Sequence, residues 1–404
     1  MVKLPNLGRP ITAPDVVKGI EGEINHAINT LSTTAQAGSD FINASIEDIK
    51  SIFQGSPQCL SQINSIRERI TNRVVESQVV TNRIIIDSVV NDPIFRQVSK
   101  EVLPKLQRDP KPVIYKVDNP LTANSSGSLS EFNINTSSLP TDRIPYIFIY
   151  GILNRTKQEA WNFYDAFKET SGMFNEQNKH KFSNVDIYIV GYDAKIEQAD
   201  VSFLGNTGVS QNIIIGVNSP IIAVLMWREW ERRAIITANQ VVFPFLKKMS
   251  DLNIKGRAIA HSLGNFVLAT AGQRLVTKSG NSLNYPLLSW FSVAPAIPSN
   301  AFSERGIFEN APLITDDGTL VFFSRIDAAL GNLYFIANGH HAMGQTGALN
   351  SRSFVLNIDL TNCLNTTAHF ASEYFIAMRP IIRQILGITP SSLPECAVFS
   401  PPLS

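Results

Sequence analysis

The stretch Gly256-Arg257-Ala258-Ile259-Ala260-His261-Ser262-Leu263-Gly264-Asn265-Phe266 holds the side chain best placed to do chemistry. A short apolar run enters Ala-x-Ser-x-Gly and leaves it as an apolar helix, so the order is strand, tight turn, helix. A serine on such a turn carries its hydroxyl outward at the carboxyl end of a sheet. Small residues at Ala260 and Gly264 let strand and helix close up around it. The helix N-terminus adds backbone donors and a dipole suited to a developing oxyanion. Ser262 is therefore the candidate nucleophile, although the usual pattern has glycine where this chain has Ala260.

A nucleophilic serine needs a base, and an acid to orient that base. On a sheet of this kind the acid follows a later strand and the histidine follows the last one. Of the six histidines, His26, His180 and His261 stand in the wrong places. His340 and His341 precede the final strand-like run, 354–358, and suit a surface or pocket-rim role. His369 follows that run and is the expected base. Asp327 follows the run 320–324 and is the expected acid. Three rivals remain: Asp316 and Asp317, read as a turn with Gly318 before their strand, and Asp359, which ends the last strand and reads as structural or as an orienter of the histidine loop. His369 would take the serine proton and return it to the leaving group, while Asp327 would fix the imidazole tautomer. The oxyanion hole would use the backbone N–H of Leu263 and a second from the Tyr150-Gly151-Ile152-Leu153-Asn154 loop, Ile152 first and Leu153 behind it.

These residues need a frame that brings strand ends together. Short apolar runs at 112–117, 144–150, 185–190, 257–260, 287–293, 320–324 and 354–358 alternate with helical stretches at 157–169, 220–248, 264–275 and 372–386. That alternation predicts an α/β fold with a mainly parallel sheet flanked by helices. Between the first two runs, the Ser-, Asn- and Thr-rich segment 119–141 reads as a loop or weak hairpin. Upstream, residues 1–107 read as an all-helical region: Ile20, Ile24, Ala27, Ile28 and Leu31, then Ile63, Ile66, Ile70 and Val74, recur at helical spacing. The expected organisation is a helical region over 1–107, a catalytic domain over 108–390 and a proline-rich surface tail over 391–404.

From 144 to 386 the chain resembles the α/β-hydrolase superfamily, and within it a bacterial family of α/β-hydrolases of unknown function. The matching pieces are Ile149 to Asn154, Ala260 to Asn265, Ser324-Arg325-Ile326-Asp327, Asn357-Ile358-Asp359-Leu360, and His369 ahead of Tyr374-Phe375. The family's first piece usually starts His-Gly, where this chain has Tyr150-Gly151. The resemblance implies a Ser262, Asp327, His369 triad without cofactor or metal. It implies acyl transfer to water, with esters, thioesters and amides as substrates; a carboxylic or lipid ester is the expected one. The insert 200–219, with Ile213-Ile214-Ile215 between glycines, reads either as a lid over an acyl chain or as packing on the sheet. Two other readings stand beside the esterase: a non-catalytic binding or scaffold protein on the same fold, and a secreted or injected lipase-type effector whose N-terminal helices dock to a protein partner.

Bulk properties narrow the partners. With 35 basic against 34 acidic side chains, net charge is +1, so nothing electrostatic calls for nucleic acid or an anionic membrane. No apolar run reaches bilayer-spanning length. A cytoplasmic location is the default expectation, with signal-less export as the alternative. Cys59, Cys363 and Cys396 are too scattered for a disulfide framework. Cys363 and Cys396 read as free thiols, with pairing as the alternative in an exported protein.

Overall fold

The structure, a computed structural model, describes Pro104 and residues 106–196, 220–279, 284–351, 354–364, 369–388 and 394–400. The helical readings upstream, Cys59 and the insert 200–219 lie outside the described residues. The chain divides into two compact units, one of residues 108–196, 228–334 and 341–404, the other of residues 1–107, 197–227 and 335–340. Every described strand belongs to the first of these.

Among the described residues nine strands form one sheet: β1 (Val113–Val117), β2 (Leu129–Glu131), β3 (Ile144–Ile149), β4 (Val185–Gly191), β5 (Gly256–His261), β6 (Leu287–Val293), β7 (Thr315–Phe323), β8 (Val355–Asp359) and β9 (Val398–Ser400). Their spatial order is β2-β1-β4-β3-β5-β6-β7-β8-β9. The six from β4 to β8 pair in parallel, while β2, β1 and β9 pair antiparallel at the two edges. This is an α/β-hydrolase-like architecture. A parallel strand inside such a sheet is covered on both faces; β4 is buried at every position, and its one charged residue, Asp186, is paired with Lys116 and Arg143.

The five longest helices among the described residues are α1 (Lys157–Ser171), α2 (Pro220–Thr237), α3 (Phe243–Asp251), α4 (Gly264–Ser279) and α5 (Ala371–Ile385). Thr156 caps α1 and Glu159 reaches back to the Thr156 backbone, a reciprocal capping box. Its apolar face, with Phe163, Tyr164 and Phe167, closes edge-on around Phe148 of β3. Phe375 of α5 then packs on Phe163 and Phe167, at ring separations of 5.6 and 5.3 Å. Burying each such ring contributes about 1.5–3 kcal/mol, and this contact anchors the helix that follows His369.

Three expectations need correction, and the surface tail adds a strand. The helix expected over 220–248 is interrupted by a π-turn at Ala238–Val242. Pro244 follows at once; it has no N–H to continue the ladder and its ring crowds the preceding turn. Asp316 and Asp317 lie inside β7, at a register shift against β6 between the pairs Leu287–Thr315 and Ser289–Gly318, where Lys255 pairs with Asp316 and Gly318 adopts a φ of 115°. The tail contributes β9, whose Val398, Phe399 and Ser400 pair with Asp359, Ile358 and Asn357. Lastly, Cys363 and Cys396 are not free thiols: they form a disulfide with Cα atoms 5.2 Å apart, because the pairing of β9 on β8 draws the two together.

Candidate active site

Strand β5 delivers Ser262 into a left-handed backbone conformation, φ 53°, which a side-chain-bearing residue rarely adopts. The turn is held from within. Ser262 N–H donates to the Val293 carbonyl of β6 (3.0 Å), and the Ser262 carbonyl accepts from Asn265 N–H (3.0 Å) and Ala296 N–H (3.2 Å). Gly264 lets α4 press against the sheet: any Cβ there would collide with the carbonyl oxygens of Ile149 and Tyr150.

The three side chains expected from chain order meet. His369 Nε2 lies 2.7 Å from Ser262 Oγ, and His369 Nδ1 lies 2.6 Å from Asp327 Oδ2. All three are buried. Asp327 is set by the turn after β7: Leu330 N–H donates to its Oδ1 (3.0 Å), and the Tyr374 hydroxyl donates to its Oδ2 (2.8 Å). A carboxylate so placed stabilises a positive imidazole and holds Nδ1–H toward itself, leaving Nε2 to accept the serine proton.

The rivals are occupied elsewhere. Asp359 binds Arg325 (3.2 Å) and the N–H of Thr361 (2.9 Å), closing the turn after β8. Asp316 is paired with Lys255 at the surface. His341 Nδ1 faces Gln345 Oε1 at 2.8 Å, and His180 is exposed in the connection from α1 to β4.

The loop after β3 sits directly over the serine. A Cβ on Gly151 would lie 2.5 Å from Ser262 Cβ, so only glycine admits this approach. Leu153 N–H is committed to the Ala194 carbonyl (2.9 Å), and Ala194 N–H returns to Asn154 (2.8 Å). Of the two N–H groups weighed on this loop, Ile152 is therefore the one left in the running, beside Leu263. Tyr150, where the resembled family has histidine, stacks on Tyr192 at 5.1 Å. Its hydroxyl donates to the Tyr192 carbonyl and accepts from Tyr192 N–H, tying the end of β3 to that of β4.

Two contributors went unread in the sequence. Asn265, fully buried, donates through Nδ2 to the carbonyls of Ala260 (3.0 Å) and Val293 (3.1 Å), and accepts at Oδ1 from Trp290 Nε1 (3.0 Å) and Ser292 Oγ (2.8 Å). It clamps the elbow to β6; its place three residues after the serine, just inside the helix, was the available signal. The other is an ion network. Arg233 of α2, fully buried, contacts Glu229 Oε1 (2.7 Å) and Asp193 Oδ1 (3.2 Å), and Asp193 also receives Arg155 (2.9 Å). It fixes Asp193, next to Ala194, which bonds Leu153 and Asn154 of the Ile152 loop. Glu229 and Arg233 stand one turn apart on α2, but no sequence pattern links them to Asp193.

His261 packs against His369, the two rings 4.9 Å apart. Burial, then the neighbouring His369, push its pKa well below the usual histidine range, so it stays neutral.

No family model and no curated protein matches the chain. Among solved structures it is similar to LpqC, a poly(3-hydroxybutyrate) depolymerase from Bordetella parapertussis, at 13% identity over 59% of this chain and 78% of that one, with a TM-score of 0.28. A similarity of that size bears on neither activity nor substrate, and the fold class rests on the sheet itself.

Proposed function

We propose that this protein is a serine hydrolase that cleaves carboxylic esters through an acyl-enzyme. The observation that carries the reading is the continuous chain from Ser262 Oγ through His369 to Asp327, at 2.7 and 2.6 Å, on a left-handed elbow at the end of β5. Ser262 attacks the ester carbonyl while His369 Nε2 takes its proton. The oxyanion is received by the N–H groups of Leu263 and Ile152. The proton passes from His369 to the leaving alcohol, and the acyl group remains on Ser262. Water, deprotonated by the same imidazole, then releases the acid and regenerates the serine. Asp327 keeps its charge throughout.

The domain plan proposed with it is a catalytic domain over 108–390 preceded by a helical region. The Cys363–Cys396 disulfide supports export to an oxidising compartment over the cytoplasmic default. Among the described residues no helix is long and apolar enough to cross a membrane. The deciding experiment is fluorophosphonate labelling with a screen of p-nitrophenyl esters of graded acyl length. Covalent modification at Ser262 with turnover of at least one ester is expected; an unlabelled wild-type protein that turns over none of them overturns the reading.

A further inference from the structure

Asp327 Oδ2 accepts two hydrogen bonds at once, from His369 Nδ1 at 2.6 Å and from the Tyr374 hydroxyl at 2.8 Å. We propose that Tyr374 is a positioning residue of the site: through that shared oxygen it holds the Asp327 carboxylate and sets how strongly it supports a positive His369. The inference rests on the reading of Ser262, His369 and Asp327 as a triad.

The phenol has one proton to donate, and it goes to Asp327. Tyr374 stands near the start of α5, fully buried, its helix docked on α1 through Phe375. Burial, then the charge of Asp327, raise its pKa well above the usual tyrosine value, so it donates at every working pH. With Leu330 N–H on Oδ1, the carboxylate is held by three donors and cannot rotate away from the imidazole. A donor on Oδ2 also draws off negative charge that would otherwise face the imidazolium. Tyr374 thus trades some imidazolium stabilisation for fixed geometry.

Other groups face this cluster. The neutral ring of His261, from β5, lies 4.9 Å from His369 and 6.4 Å from Tyr374. Asp359, at the end of β8, adds negative charge near Tyr374 and is itself paired with Arg325. None of these changes when the phenol oxygen alone is altered.

The test is the pH profile of kcat/KM for a chromogenic ester, with the fluorophosphonate labelling rate, in wild type, Tyr374→Phe and a protein carrying 3-fluorotyrosine at position 374. Removing the donor should move the acid limb upward, with a several-fold fall in kcat. The fluorinated phenol, a stronger donor of nearly the same shape, should lower the limb. Acid limbs that coincide with wild type in both variants, or move in the same direction, overturn the proposal. If Tyr374→Phe does not fold, the fluorotyrosine protein decides alone. A wild type that is neither labelled nor active strikes the triad reading; an active wild type with unmoved limbs strikes only the role of Tyr374.

Discussion

Gly151 stands over Ser262 so closely that a methyl group added to it would lie 2.5 Å from the serine Cβ and 3.0 Å from its Oγ. The loop carrying Ile152 can therefore approach Ser262 only with glycine at that point. Gly151→Ala should push the loop off and withdraw the Ile152 donor. We expect a fall of about 10²–10³-fold in kcat, with an unchanged far-ultraviolet circular dichroism spectrum. Full activity in this variant would remove Ile152 from the oxyanion hole.

Ser262→Ala should abolish both fluorophosphonate labelling and ester turnover. His369→Ala should do nearly the same, while His340→Ala and His341→Ala keep most activity. Asp327→Asn should lose on the order of 10⁴-fold through the wrong imidazole tautomer. Steady-state kinetics of the set checks it; a crippled Asp359→Asn beside a healthy Asp327→Asn would reassign the acid.

Asn265→Leu should destabilise the fold by about 2–4 kcal/mol, because Trp290 Nε1 and Ser292 Oγ would be left buried without their acceptor. Urea denaturation measures this. A loss below ~1 kcal/mol would mean that the elbow is held chiefly by its backbone bonds.

The Cys363–Cys396 bridge closes a loop with a sequence separation of 33 that contains His369 and α5. In the chain-entropy account such a closure contributes about 4 kcal/mol. Cys363→Ser should lower the thermal midpoint, and dithiothreitol should lower the wild type toward it while leaving the variant unmoved. Equal midpoints for oxidised wild type and variant would discount the bridge.

His261 is neutral and buried in the folded protein, its pKa pushed down by burial and by His369. The unfolded chain binds a proton there at about 6.5, so the folded state is favoured above that value and loses stability as pH falls below it, down to the depressed folded pKa. Thermal midpoints across this range should fall less steeply in His261→Gln than in wild type. Parallel slopes would show that another group governs the acid limb of stability.

Much of the candidate site's geometry was legible in the residues alone. Ser262 could be read because an elbow is local: strand, small residue, serine, glycine and helix lie within a dozen positions. Asp327 and His369 could be read because a parallel sheet delivers every strand's carboxyl end to one side, so chain order stands in for proximity. The Ile152 loop followed from the same rule. Tertiary structure alone decided the rest. Tyr374 meets Asp327, and Arg233 meets Asp193, only when distant segments pack together; low dielectric around them makes those contacts matter, and no periodicity announces it. The strand in the tail went unread because three residues among prolines carry no clear pattern, yet the edge of β8 offered them a ladder. That pairing also brings Cys396 beside Cys363. Sequence spacing is silent on which thiols meet, because a disulfide depends on the approach of two Cα atoms that only the folded sheet supplies.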